Sequence, residues 1–301
     1  MQTTNSDWNQ RILAVLVQIQ THLGESSTGR LSIEHLARMC DASPHYFHRM
    51  FRGLVGEPLA AHIRRLRLER AAFHLRTTSK PIVQIALDAT YESHEAFTRA
   101  FSRNFGLSPS DYRAGKPLRH LPSPSNIHIQ SPDDGDLTYQ PLKYDMSTRQ
   151  IEIKSFPKQR VVFLRHIGPY QAVGATWGRL CGMLGPLGLL GPDTKMLGAS
   201  YDDPEVTPAE KLRYDACVQV DESFQPQGDL GVQELGGGRY AVMIHEGPYE
   251  NFSVTYAELY ARQFGGGDCA PGEGPCLEVY LNDPATTAPA DLRSEVWVPI
   301  A

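Results

Sequence analysis

Cysteine is scarce in this chain, with five among 301 residues, at positions 40, 181, 217, 269 and 276. The number is odd, the spacing is wide and no CxxC pair occurs. That argues against a disulfide framework and against a zinc site of ordinary spacing. No apolar run reaches the roughly 18 residues that a membrane span needs, so no membrane partner is expected. Residues Met1 to Asp7 carry neither a basic nor an apolar stretch, so no secretory signal is expected and the cytoplasm is the default location. A Ser-His-Asp signature, a metal-ligand cluster and a phosphate loop are all missing, which leaves no cofactor and no enzyme expected. Coiled-coil heptads are missing too, which favours a monomer.

What is present suggests two domains, at roughly 150 residues each. The apolar content of 41% suffices to bury real cores. The net charge of −5 hides an asymmetry. Residues 1–115 hold 14 Lys+Arg against 10 Asp+Glu, residues 116–149 with Gln150 hold 4 against 4, and residues 151–301 hold 11 against 20. A basic front and an acidic back suit one part that meets polyanions and one that does not. Between them, a 116–149 linker is expected, because Pro117, Pro122, Pro124, Pro132 and Pro141 with intervening Ser, Asp and Gly punctuate the chain rather than build core.

Within residues 8–115 a helical unit occurs twice. In 31–54, Leu36, Ala37 and Cys40 share a face of a short helix, and Asp41-Ala42 breaks it. Ser43 is a good N-cap and Pro44 fits the first helical position. Phe47, Met50, Phe51 and Leu54 then form an apolar stripe, while His45, His48, Arg49 and Arg52 offer donors on another face. Residues 81–105 repeat the plan, with Ile82, Ile85, Ala86 and Ala89 in the first helix, Ser93 as cap, and Phe97, Phe101 and Phe105 inward. Ser43, Arg49 and Phe51 map onto Ser93, Arg99 and Phe101 at an offset of 50, whereas Ala37 maps onto Ala86 at 49, so the second turn is one residue longer. A helix from about Pro58 to Leu75 joins the units. Two helix-turn-helix units on one stiff helix suit two successive major grooves, about 34 Å apart.

This half resembles the DNA-binding domain of the AraC/XylS family of bacterial transcription regulators, most specifically through Ile85, Ala86, Tyr91, Ser93, Phe97, Arg99, Phe101, Phe105, Gly106, Ser108, Pro109, Tyr112 and Arg113. The resemblance implies double-stranded DNA and RNA polymerase as partners. It implies base reading by His45, His48 and Arg49, and by His94, Glu95, Thr98 and Arg99. Arginine can chelate a guanine edge and glutamate can accept from cytosine N4. Glu95 could instead pair with a neighbouring arginine, and an exposed arginine is commonly a solvated charge.

Residues 150–301 contain a second repeat. The stretch Arg160 to Tyr170 parallels Arg239 to Tyr249 at an offset of 79, each ending in Gly-Pro-Tyr. Helical stretches follow at 173–184 and 252–264. Then 197–204 parallels 276–284, and Arg213 parallels Arg293, both at 80. Each unit reads strand, helix, strand, strand. Two such units pair most simply about a pseudo-two-fold axis, with helices on one face of an α+β layer and a groove at the seam. His166 and His245, on strands beside the Gly-Pro-Tyr turns, read as structural.

This half resembles the GyrI-like effector-binding domain, and the whole looks like the Rob-type subgroup of AraC regulators. The fold expected is therefore multi-domain: an all-α double helix-turn-helix domain at 8–115 followed by a GyrI-like α+β domain at 150–301. The resemblance implies a small-molecule effector, cationic and apolar, meeting a pocket carboxylate on the last strand. That carboxylate maps onto Glu295, with Asp215 as its repeat counterpart. Strand alternation puts Glu295 and Trp297 on the same face. Candidate walls are Trp297, Trp177, Tyr170, Tyr249, Phe163 and Tyr256, with sheet–helix core as the alternative for each and a solvated edge as the alternative for Glu295. Two other functions fit less of the sequence: a hydrolase acting on a natural product, and a DNA architectural protein that senses no ligand.

Overall fold

The computed structural model describes residues 8–25, 29–116, 127–129, 140–145, 149–191, 194–266 and 269–301. The chain divides into two compact units, Met1–Leu142 and Lys143–Ala301.

The first unit is helical. It runs α1 (Trp8–His22), α2 (Ile33–Met39), α3 (Pro44–Val55), α4 (Leu59–Thr77), α5 (Ile82–Asp88), α6 (His94–Phe105) and α7 (Pro109–Arg113). Four serines start four of these helices. The hydroxyls of Ser32, Ser43, Ser93 and Ser108 accept from the amides of His35, Tyr46, Ala96 and Asp111. Each such cap is worth about 1 kcal/mol. The expected duplication holds down to its turns: Asp41 and Thr90, 49 apart, both adopt positive φ, 51° and 65°. The one-residue difference in the second turn follows, since α5 ends at Asp88 and its successor is capped by Ser93. Phe47, Met50 and Phe51 are fully buried in the first unit of the pair, as are Phe97 and Phe101 in the second. Helix α4 serves both, and its Leu68, Ala71 and Leu75 join the Phe97–Phe101–Phe105 cluster.

The segment expected to be pure linker also contributes to this unit. Ile127 is buried. The Gln20 side chain donates to the His128 carbonyl, and the Ile129 amide donates to Glu69 Oε2 at 3.0 Å. Further on, the Leu142 amide donates to the Leu54 carbonyl. The prolines of this stretch other than Pro141 lie outside the described residues.

The second unit is a curled antiparallel sheet with helices on one face. Its strands are β1 (Ile151–Phe156), β2 (Gln159–Ile167), β3 (Met196–Ser200), β4 (Arg213–Gln219), β5 (Gly231–Leu235), β6 (Gly238–Glu246), β7 (Cys276–Tyr280) and β8 (Arg293–Pro299), with α8 (Val173–Leu184) and α9 (Phe252–Phe264). The strand order β1-β6-β8-β7-β3-β4-β2-β5 has the expected pseudo-two-fold between β7 and β3. Each repeat also has a leading strand that the strand-helix-strand-strand reading lacked. These two strands are exchanged: β1 pairs with β6 of the second half, and β5 pairs with β2 of the first. The exchange ties the halves together at both edges. Along β8, Val296 and Val298 face α9, while Trp297 joins Phe156, Val242, Leu277 and Leu197 in a core on the opposite face.

Candidate DNA-reading helices and effector cleft

Helices α3 and α6 carry the expected reading residues. Trp8 Nε1 donates to Tyr46 Oη at 3.0 Å, which ties α1 to the first turn of α3. His45, Glu95 and Arg99 are exposed, and Arg49, Arg52 and His94 are half-buried. His48 departs from expectation: it is 3% exposed and so is not presented to a groove. The reason is angular. At about 100° per residue, position 48 lies only about 20° from Val55 and 60° from Phe51, on the margin of the apolar stripe. Its repeat mate Thr98 occupies the same margin, and the Thr98 hydroxyl is buried with no hydrogen-bond partner. Of the expected readers, His48 thus turns inward, while Thr98 is half-buried with its hydroxyl covered.

Glu95 is held below the usual carboxylate range, first by a hydrogen bond from its own amide, then by Ser93, with the Arg99 charge contributing least.

In the second unit the expected wall residues do not form one pocket. Phe163, Glu295 and Trp297 lie on the face without helices, whereas Trp177, Tyr170, Tyr249 and Tyr256 lie on the helix side. Glu295 already has a cation: Lys154 Nζ donates to Oε1 at 2.8 Å, and Trp297 Nε1 donates to Oε2 at 2.9 Å. The same lysine sits 5.7 Å from the Trp297 ring centroid. Asp215 is likewise satisfied. It is 0% exposed, accepts two bonds from Arg165 at 2.8 Å each, and is reached by Tyr201 at 2.8 Å and Gln233 at 2.9 Å. Glu295, expected to meet the ligand, and its repeat counterpart Asp215 thus each already meet a basic side chain of the protein, Lys154 being shared with Glu152 at 3.1 Å. The alternation that paired Glu295 with Trp297 was right, but it could not say which face bears the helices. The neutralising Lys154 comes from a strand 141 residues away in sequence.

Tyr170 is a strut. Its hydroxyl contacts the Asp202 carbonyl at 3.0 Å and the Arg213 carbonyl at 3.1 Å, and accepts from the Asp202 amide. His166 and His245 are structural as expected. Each contacts the proline carbonyl of its Gly-Pro-Tyr turn through Nε2 at 3.1 Å, and a helix threonine, Thr176 or Thr255, through Nδ1. A carbonyl can only accept, so in each ring Nε2 carries a proton and donates.

The carboxylate on the helix face is Glu278, which the sequence reading passed over. It is 6% exposed, on β7 beside the pseudo-axis. Tyr256 Oη donates to its Oε1 at 3.2 Å and Tyr280 Oη to its Oε2 at 2.9 Å. Tyr280 Oη lies 2.7 Å from Tyr214 Oη, to which Trp177 Nε1 donates at 3.1 Å. Burial first, and the Glu278 charge second, push the Tyr214 and Tyr280 hydroxyls well above their usual value, so both stay neutral donors. Across the sheet, Glu278 pairs with Gly198, its repeat mate. A Cβ at Gly198 would lie 2.2 Å from Tyr214 Oη, so only glycine leaves room for that ring. The signal available in the sequence was this one repeat mismatch, glycine against glutamate. A buried carboxylate ringed by hydroxyls and aromatic faces is suited to an apolar cation.

Comparison with known proteins gives the same division. The GyrI-like small molecule binding domain matches residues 149–301, and a helix-turn-helix domain matches 36–115. Regulatory protein SoxS of Salmonella typhimurium is 40% identical over 106 residues, 35% of this chain and 95% of that protein. The chain is an AraC-family regulator with a GyrI-like domain. Right origin-binding protein of Escherichia coli is 35% identical over 99 residues, 33% of each chain. Among solved structures, EcmrR in a DNA complex aligns with 17% identity and a TM-score of 0.42, over 50% of this chain and 57% of that one. Among the described residues of this regulator, no helix is long and apolar enough to cross a membrane, and no cluster of metal-ligating side chains occurs.

Proposed function

We propose that this regulator reads DNA through α3 and α6 and responds to an apolar cation that meets Glu278 between α8 and α9. The observation that carries the effector assignment is the Glu278 carboxylate, 6% exposed and hydrogen-bonded by two tyrosines. Base reading falls to His45, Arg49, Arg52, His94 and Arg99, with RNA polymerase as the protein partner. The unit acts as a sensor, a reading supported by its similarity to a regulatory protein. A cation recovered unchanged by mass spectrometry after incubation fits this; a hydrolysed one would not.

The DNA side is tested by selecting duplexes from a random library with the full chain. Arg49→Ala then costs about 1–3 kcal/mol on the selected duplex and little on random DNA, as loss of a bidentate base contact requires. Equal losses on both would make Arg49 a phosphate contact.

A further inference from the structure

The chain enters the second unit fastened to the helix that reaches the proposed effector carboxylate. Arg149 stands two residues before β1. Its Nη1 donates to Thr255 Oγ1 at 3.0 Å and its Nη2 donates to Glu258 Oε2, both on α9. Thr255 Oγ1 also meets His245 Nδ1 at 2.8 Å. The next residue of α9, Tyr256, donates to Glu278 Oε1 at 3.2 Å. One helix thus carries both the grip of Arg149 and a hydrogen bond to Glu278.

The repeat marks this grip as specialised. At the corresponding places of the first half the charges are reversed: Arg179 on α8 pairs at 2.7 Å with Asp229, two residues before β5. Those side chains are 59% and 72% exposed, whereas Arg149 and Glu258 are 30% and 4% exposed. An exposed pair contributes little, while a buried carboxylate stripped of its partner is strongly destabilising. Glu258 escapes that penalty, because Arg262 Nη1 also donates to it at 2.6 Å. The Arg262 side chain is 7% exposed and its Nε has no hydrogen-bond partner, so this guanidinium keeps a donor in reserve. Arg149 is therefore firmly held yet releasable, since Glu258 keeps a cation either way.

Toward the first unit the same stretch of chain is fastened again. Six residues, 143–148, separate Arg149 from Leu142, whose amide donates at 2.8 Å to the carbonyl of Leu54 in the last turn of α3. We propose that Arg149 is a latch on α9, released when a cation draws Glu278 away from Tyr256, and that its release carries effector occupancy along the chain to α3. This inference rests on the Glu278 reading above and adds the route by which that site is heard.

The test uses the full chain, phenyltrimethylammonium and a duplex selected from a random library. DNA affinity is read by fluorescence anisotropy with and without saturating probe, and probe affinity by calorimetry. In wild type the probe changes DNA affinity at least about fivefold, the low end of allosteric coupling. Arg149→Met holds the probe-free DNA affinity at the wild type's probe-saturated value, and the probe no longer changes it. The variant also binds the probe at least about twofold more tightly, because the cation no longer has to open the latch. A side chain that merely supported α9 would give the opposite, weaker probe binding, and that result overturns the latch, as does unchanged coupling. Should Arg149→Met not fold, Arg149→Lys serves, since it keeps the charge but loses the two-pronged grip; reduced coupling with tighter probe binding is then expected. A wild type that binds the probe with no change in DNA affinity overturns the latch and leaves the Glu278 site standing. Failure of wild type to bind the probe overturns the cation reading, and the latch with it.

Discussion

Replacing Glu278 by glutamine removes one charge with little change of shape, and it separates the two faces of the sheet as sites of cation binding. A quaternary nitrogen approaches a carboxylate oxygen to about 4 Å, and at an effective dielectric of about 20 the attraction is about 4 kcal/mol. Desolvation of both ions offsets part of this. The carboxamide retains a carbonyl acceptor for one tyrosine hydroxyl, so the ring of donors from Tyr256 and Tyr280 is weakened rather than lost. A net loss of at least about 1.4 kcal/mol, tenfold in Kd, is expected for phenyltrimethylammonium. Its uncharged carbon isostere, tert-butylbenzene, should bind wild type and variant alike.

Glu295→Gln is the matched control. Lys154 already meets that carboxylate at 2.8 Å, and Glu152 at 3.1 Å, so Glu295 has a cation of its own and ligand affinity should change far less than in Glu278→Gln. Titration calorimetry of both variants with both ligands decides the matter. Equal loss of the charged and uncharged ligands in Glu278→Gln would show a packing effect and refute the electrostatic argument. A selective loss in Glu295→Gln alone would move the site to the opposite face.

Three further outcomes follow from the geometry. Gly198→Ala should destabilise the protein by about 1–3 kcal/mol in denaturant melts, because its Cβ would lie 2.2 Å from Tyr214 Oη; a neutral effect would mean the ring moves freely. His62 and His245 are both held below the usual 6.5, first by burial, so the unfolded chain takes up their protons first; stability should be full above about 6.5 and fall as pH drops below it, and a flat melting temperature there would contradict the assignment. Glu69→Ala removes the acceptor of the Ile129 amide, so hydrogen exchange at Ile129 should accelerate markedly while exchange within α4 stays slow.

Much of the helical unit was legible because its repeat fixes periodicity twice. Inward phenylalanines at 47 and 51 recur at 97 and 101, and serine caps mark both reading helices. What failed there was the margin of the stripe, where His48 is polar in type but inward in angle and the Thr98 hydroxyl is covered. The sheet was legible as a duplication, since Gly-Pro-Tyr and Asp-Pro recur in step. Its leading strands were not, because β1 and β5 lack a shared motif and each pairs outside its own half. Glu295 drew attention as a charge in an apolar strand. The chain answers that charge with Lys154 from β1, a long-range pairing that local pattern does not reveal.

The duplicated half-sheets differ beside the axis, where the proposed effector site lies. A perfectly symmetric unit would place the same residue on both sides of the axis between β3 and β7. Two facing glutamates there would repel across a strand pair, and two glycines would bind nothing. The chain instead sets Gly198 opposite Glu278, and Tyr214 lies across the glycine so that its hydroxyl reaches Tyr280, which in turn donates to Glu278. One half therefore supplies the charge and the other supplies the ring that bounds it. At the next position the roles reverse: the first half is filled by Tyr214, and the second keeps the small, fully buried Ser294. Divergence at these paired positions, and not any added loop, breaks the symmetry of the scaffold beside Glu278.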